Sequence, residues 1–316
     1  MKSKQIILSV VVPVYNEAQG IQQFYASLQK VLTGLGLPYE IIFVNDGSSD
    51  GSKVKLQAIA QGDQTVRLLN LSRNFGKEVA TTAGIHHATG EATLLIDADG
   101  QHPVEKISDF VRAWKQGAKV VIGLRQQNSG EGPIKRYGSR VFHAIFNRFS
   151  TVKIPYGSTD FRLIDRQVRE VFTELTEHNR MTRGLIDWLG FERAYIPFVA
   201  KARVDDKSGY TIRKLSKLAV DSVISLSNAP LYFAAYVGAF ITFLATAAGI
   251  GMVINLLLDD PLALHARGSA YALVLVLLLA GIILVFQGIL GIYMSHIHTE
   301  TKNRPLYIIE KDKSKA

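Results

Sequence analysis

The chain has 316 residues, enough for two ordinary domains or one large domain with an appendage. Hydrophobic residues make up 47% and charged residues 20%, which excludes a disordered or low-complexity chain. Cysteine is absent, so disulfides, thiolate metal sites and a cysteine nucleophile are excluded; the net charge of +9 suits nucleic acid, an anionic membrane surface or a phosphate-bearing substrate.

From the N-terminus, Ile6–Val14 is an apolar run broken by Pro13 and lacks a small-residue cleavage site. It reads as a buried strand, not as a signal peptide. Helical spacing follows over Glu17–Leu32, with Ile21, Phe24, Leu28 and Leu32 on one face. Strands are predicted at Glu40–Asn45, Val66–Leu71, Thr93–Ile96 and Lys119–Gly123. Helices are predicted at Gly51–Ala60, Gly76–Ala88 and Val104–Lys115. This alternation implies right-handed βαβ units and a mostly parallel sheet. Ligands of such sheets bind at the carboxyl ends of the strands. The polar clusters Tyr15-Asn16-Glu17, Asp46-Gly47-Ser48 and Asp97-Ala98-Asp99 fall there.

Ile134–Phe149 carries Ile134, Tyr137, Val141, Phe142, Ile145 and Phe149 at helical spacing, with Lys135, Arg136, Arg140 and Arg148 among them. Such a helix suits a membrane interface or packs on the domain core. Thr211–Ser227 has the same character. Ala229–Leu258 is 30 residues without a charge, and Ala270–Met294 is 25 more. At ~1.5 Å per residue each can cross a ~30 Å hydrocarbon core. Cations flank both outer ends: Arg213, Lys214 and Lys217 before, Lys302 and Arg304 after. Only Arg267 lies in the connecting loop. Positive-inside counting puts both ends in the cytoplasm. The expected organisation is a cytoplasmic α/β domain over 1–210 and an interfacial helix over 211–228. A transmembrane hairpin follows, with spans 229–258 and 270–294 joined by an external loop 259–269. A basic cytoplasmic tail occupies 295–316.

Dinucleotide and P-loop fingerprints are absent. In Asp97-Ala98-Asp99, carboxylates two residues apart after a strand point the same way. A hard divalent cation takes such oxygens together with substrate phosphates. His86, His87, His296 and His298 have no metal-ligand spacing and read as surface or interfacial residues.

Six ordered motifs then carry a resemblance. They are Val11–Glu17; Val44–Ser48; Ser72-Arg73-Asn74-Phe75-Gly76-Lys77-Glu78; Asp97–Pro103 with Asp160-Phe161-Arg162-Leu163; and Thr301–Pro305. Together they resemble the inverting family 2 glycosyltransferases, within the polyprenyl-phosphate branch of bactoprenol glucosyltransferases and dolichol-phosphate mannose synthases. The resemblance implies a GT-A-type fold. It implies that Pro13, Tyr15, Glu17, Asp46, Ala98, Gln101 and Arg125 serve the nucleotide sugar. Asp97 and Asp99 would hold Mg2+ or Mn2+ on the diphosphate, and Arg203, with Lys207 and Arg136, would meet the acceptor phosphate. Asp160 stands where a catalytic base is often assigned. A phosphate monoester has a second pKa near ~6 and hardly needs a base, so Asp160 is read as base or as a positioning partner for Arg162 or the sugar. The arginine-led loop departs from the family pattern: Asp206 replaces a glycine and Gly209 a lysine, for which Lys207 or Lys201 would substitute.

The resulting expectation is a bacterial inner-membrane enzyme. It would transfer one sugar, from UDP-glucose or a related UDP-hexose, to undecaprenyl phosphate with inversion, making a lipid-linked donor for surface glycans. A homo-oligomer and a flippase partner fit the relatives, and nucleic acid does not. A processive synthase would need more spans and a Q-x-x-R-W element. A catalytically silent nucleotide-binding adaptor would not need Asp97, Asp99, Asp160 and Arg203.

Overall fold

The computed structural model describes residues 5–126, 155, 157–178, 180–199, 236, 237, 240, 241, 243, 247 and 268–310. The chain divides into two units, Met1–Ser225 with Arg304–Ala316, and Leu226–Asn303.

The first unit is built on strands β1 (Leu8–Val14), β2 (Tyr39–Asn45), β3 (Val66–Asn70), β4 (Ala92–Leu95), β5 (Val120–Gln126), β6 (Ser158–Asp165) and β7 (Arg193–Val199). They form one sheet in the order β3-β2-β1-β4-β6-β5-β7. β1 pairs in parallel with β2 and β4, β2 with β3, and β5 with β7. β6 is antiparallel to both its neighbours. The mostly parallel α/β sheet expected from the sequence is therefore present. β6 and β7 are additions that the sequence pattern did not predict.

The strand period of two divides the core between the two faces of the sheet. Val10, Val12, Ile41 and Phe43 point to one side. There they meet Phe24 and Leu28 of α1 (Ile21–Gly34) and Ile107 and Phe110 of α4 (Ile107–Lys115). Val11, Ile42 and Val44 point to the other side. There they meet Ala80 and Ala83 of α3 (Lys77–His87), Phe172 of α5 (Arg166–Glu174), and Leu185 and Ile186 of α6 (Thr182–Trp188). Central parallel strands covered on both faces read as continuous apolar runs. That is why β1 and β2 were recognisable from the sequence. Helix α2 (Ser52–Gly62) joins β2 to β3.

Two predicted boundaries moved for local reasons. The first helix starts at Ile21, not Glu17. Asn16 has φ 57°, the Glu17 amide donates to Ser52 Oγ at 2.9 Å, and the Ala18 amide donates to Asp50 at 2.9 Å. These bonds hold the segment out of the helix and against the loop after β2. The predicted helix at Val104 begins as a 3-10 turn, Val104–Lys106, before α4.

The second unit contributes helix α7, Gly268–Thr301, of 34 residues. Among the described residues no helix is long and apolar enough to cross a membrane; the side chains over most of the first half of α7 lie outside the described set. The predicted first span also lies almost wholly outside it, as do the amphipathic segments Ile134–Phe149 and Thr211–Ser227.

After α7 the chain joins the first unit. Ile309 makes an antiparallel bridge to Leu71. The Ser72 amide donates to the Ile308 carbonyl at 2.9 Å, and the Glu310 amide donates to the Asn70 carbonyl at 2.8 Å. Lys53 pairs with Glu310 at 2.6 Å, and the Tyr307 hydroxyl lies 3.2 Å from His86 Nδ1. The segment thus covers the carboxyl end of the β3 edge, pairing groups there that would otherwise be open.

Candidate active site

The carboxyl ends of β1, β2 and β4 converge, and each sends a polar loop to the same edge. Asp46, after β2, is buried at 2% exposure. Its two carboxylate oxygens accept the Phe75 amide at 2.7 Å and the Gly76 amide at 2.9 Å. Burial pushes this carboxyl up, and the two amide bonds oppose that shift. Asp46 therefore fixes the loop that precedes α3. Gly47 (φ +65°) lets that loop approach closely: a Cβ there would stand 2.5 Å from the Arg73 backbone carbon and 2.6 Å from the Asn74 nitrogen. Pro13 lies in β1 and is half-buried, Tyr15 is exposed, and Glu17 is half-buried beside α2.

Asp97, Ala98 and Asp99 follow β4. Ala98 is buried, and the two carboxylates are partly open. Asp99 Oδ1 accepts the Gln101 amide at 3.0 Å, which tightens the turn and sets Gln101 beside it. His102 stacks on Phe161, with centroids 5.3 Å apart. Its Nδ1 is buried without a hydrogen bond, 3.8 Å from Asp97 Oδ2. Burial lowers the pKa of this ring, against the pull of Asp97 and Asp99, and favours its neutral form.

The antiparallel strand completes the arrangement. In the β4–β6 ladder Leu95 stands opposite Arg162. Continuing that register two residues sets Asp97 across from Asp160. The first residue of α3, Lys77, reaches between them: its ammonium donates to Asp97 Oδ2 and to Asp160 Oδ2, each at 2.8 Å. Burial works against the charged form of Lys77, but the two carboxylates outweigh it and hold the ammonium protonated. Burial would raise the pKa of Asp160. Lys77 foremost, with Arg183 and Arg162, instead holds it well below the usual carboxylate range. Lys77, Asp160, Arg162, Thr182 and Arg183 line a small cleft with Glu78 and Thr81.

Arg162 is not the partner of Asp160. It is fully buried and pairs with Asp187, also buried, through bonds of 3.0 and 3.1 Å. Its remaining N–H groups reach the Thr159 carbonyl at 3.0 Å, Ser158 Oγ at 2.8 Å and the Arg183 carbonyl at 3.2 Å. This cluster ties the start of β6 to α6 and so fixes the backbone that carries Asp160.

Arg125 lies on β5 with an exposed side chain. The structure therefore brings Asp97 and Asp160 together through Lys77, with Asp99 and Gln101 on the adjoining turn. Arg136, Lys201, Arg203 and Lys207 lie outside the described residues. Sequence reasoning quoted the Ser72–Glu78 motif but gave Lys77 no role. The available signal was a lysine opening a helix at the carboxyl edge of a parallel sheet.

Among the described residues no cluster of three or more ligating side chains is present. The donor set nevertheless fits a hard cation. Asp97 and Asp99 offer oxygens from one turn, and the bond from Asp97 to Lys77 uses Oδ2 alone. Mg2+ and Mn2+ sites of this kind complete their shell with water and substrate phosphate.

Comparisons with known proteins identify the family and the fold. The chain is 37% identical over 309 residues to the bactoprenol glucosyl transferase of Shigella phage SfV, covering 98% of this chain and 99% of that one. It is 35% identical over 306 residues to the prophage bactoprenol glucosyl transferase homolog of Escherichia coli K12, covering 97% and 99%. Among solved structures, mannosyl-3-phosphoglycerate synthase from Rubrobacter xylanophilus shares the fold. Its TM-score is 0.50 at 18% identity, over 69% of this chain and 72% of that one. The profile of glycosyl transferase family 2 matches residues 9–172; the chain belongs to that family and is a glycosyltransferase.

Proposed function

We propose that the protein transfers a single hexose from UDP-glucose or a related UDP-hexose to undecaprenyl phosphate, with inversion. The observation that carries the reading is the convergence of Asp97 and Asp160 on Lys77 at the carboxyl edge of the sheet. Relatives named bactoprenol glucosyl transferases, matched over nearly their whole length, support the acceptor class. Asp97 and Asp99 would hold Mg2+ or Mn2+, and Arg203, Lys207 and Arg136 would serve the acceptor phosphate. The bound cation would neutralise charge on the diphosphate leaving group.

The chain's own residues set up the rest. Asp46 holds the loop before α3, which with Tyr15 and Glu17 would frame the nucleoside. The Arg162–Asp187 pair fixes Asp160 in place. An acceptor phosphate oxygen forms the new bond to the anomeric carbon as the bond to the diphosphate breaks. The acceptor is already ionised, so no proton need be removed. Asp160, held ionised, would orient the sugar and not act as base.

The charge-free residues 270–294, within the 34-residue helix α7, support a second span. The flanking cations support cytoplasmic ends in a bacterial inner membrane. A soluble donor and a lipid acceptor would then meet at the cytoplasmic face.

The test uses purified full-length protein in detergent with undecaprenyl phosphate, Mg2+ or Mn2+, and a panel of radiolabelled nucleotide sugars. Label from one donor should enter the organic phase, and chelation or Asp99→Ala should abolish it. Failure of every donor to label the lipid would reject the acceptor assignment.

A further inference from the structure

Two residues past the last pair of the β4–β6 ladder, Leu95 opposite Arg162, the carboxylates of Asp97 and Asp160 approach one ammonium from two strands; without it, neighbouring like charges are destabilising. A lysine from a third element, α3, sits between them and bonds both. The cluster is open to solvent: Lys77 is 46% exposed, Asp160 34% and Asp97 20%. Ion pairs this open add little to stability, so the fold has little to gain from the arrangement. An ammonium has three N–H donors. Among the described residues Lys77 gives two of these to carboxylates, and the same side chain lines the cleft with Thr182 and Arg183.

The proposed reaction brings two polyanions together, a diphosphate on the Asp97 side and a phosphate monoester on the other. We propose that Lys77 is a catalytic residue that binds a substrate phosphate oxygen through its third N–H. This rests on the reading of sugar transfer from a nucleotide sugar to a phosphate acceptor. The two carboxylates hold the ammonium where those anions meet. They also prevent it from folding away, so the donor is preorganised and costs no rearrangement during reaction. The phosphate belongs either to the donor diphosphate or to the acceptor monoester, and the two sources separate by measurement.

The experiment compares wild type, Lys77→Met, Lys77→Gln and Lys77→Arg as full chains in nanodiscs. Calorimetry gives the affinity for UDP with Mn2+. A binding titration gives the affinity for undecaprenyl phosphate. Label in the organic phase gives turnover. Lys77→Met is expected to lose about 100-fold in turnover, the scale of one transition-state hydrogen-bond donor. Lys77→Arg should recover part of it, and Lys77→Gln stands in should the Met variant not fold. A weaker UDP affinity assigns the contact to the donor diphosphate, and a weaker undecaprenyl phosphate affinity assigns it to the acceptor. Lost turnover with both affinities intact marks a contact made only in the transition state. Turnover and both affinities indistinguishable from wild type would overturn the proposal. If wild type itself labels no lipid, the proposed function fails separately. The two titrations still judge a contact of Lys77 with a bound phosphate, and unchanged values in the variants would reject that contact.

Discussion

Arg162 is the largest fully buried side chain of the described core, and its charge survives there because every direction of its guanidinium meets an acceptor. Removing one member of such a pair leaves the other charge buried and alone, at a cost of about 3–5 kcal/mol. Arg162→Met and Asp187→Asn are each expected to lower the unfolding free energy by that amount in denaturant titrations. The double replacement Arg162→Met with Asp187→Leu should recover much of the loss. Equal stability of the single variants and wild type would show that the pair does not hold the strand. At this scale Asp97 and Asp99 were legible as paired carboxylates after an apolar strand, and Asp160 only through the family resemblance. Lys77 was not legible. Its partners are 20 and 83 residues away, and they meet it only through an antiparallel strand whose register the sequence does not announce.

Among the elements, β1, β2, β3 and the segment after α3 are locked by one buried carboxylate on β2. Glu40 accepts Ser9 Oγ at 2.6 Å, the Thr89 amide at 2.8 Å, Thr89 Oγ1 at 2.7 Å and Arg67 at 2.7 Å. Burial opposes its ionisation, but these four bonds outweigh burial and hold its pKa below the ordinary value. A depressed carboxyl stabilises the fold above its unfolded pKa, near ~4.3. That contribution is lost as pH falls through the lower folded value. Glu40→Gln is expected to cost about 1–3 kcal/mol at neutral pH. It should also flatten the acid limb of a stability profile measured by thermal melts between pH 6 and 3. An unaltered acid limb would assign that limb to other groups. The central strands were readable as apolar runs. β7 was not, because its exposed positions and Pro197 mark an edge. β6 was hidden by Asp160, Arg162 and Asp165, three charges in a run of eight residues, each paired within the fold.

At the scale of the whole molecule, the sequence showed the α/β unit and the charge-free stretches beyond it. The return of the chain after Thr301 could not be read, because Tyr307–Glu310 gains its place from bonds to a strand more than 230 residues earlier. Removing residues 305–316 is expected to free the Ser72 amide, which donates to Ile308. The Leu71 amide, which donates to Asn45 within the sheet, should stay protected. Amide hydrogen exchange distinguishes the two, and equal protection of Ser72 in the full and shortened chains would rule out the attachment. The same attachment imposes an order on manufacture. Ser72 leaves the ribosome 236 residues before Ile308, roughly 10–50 s earlier at typical translation rates. All of Leu226–Asn303 is made in that interval. The sheet edge beside the Ser72–Gly76 loop is therefore the last part of the first unit to be closed, and a nascent chain stalled before residue 308 has the strands of that unit but not its seam.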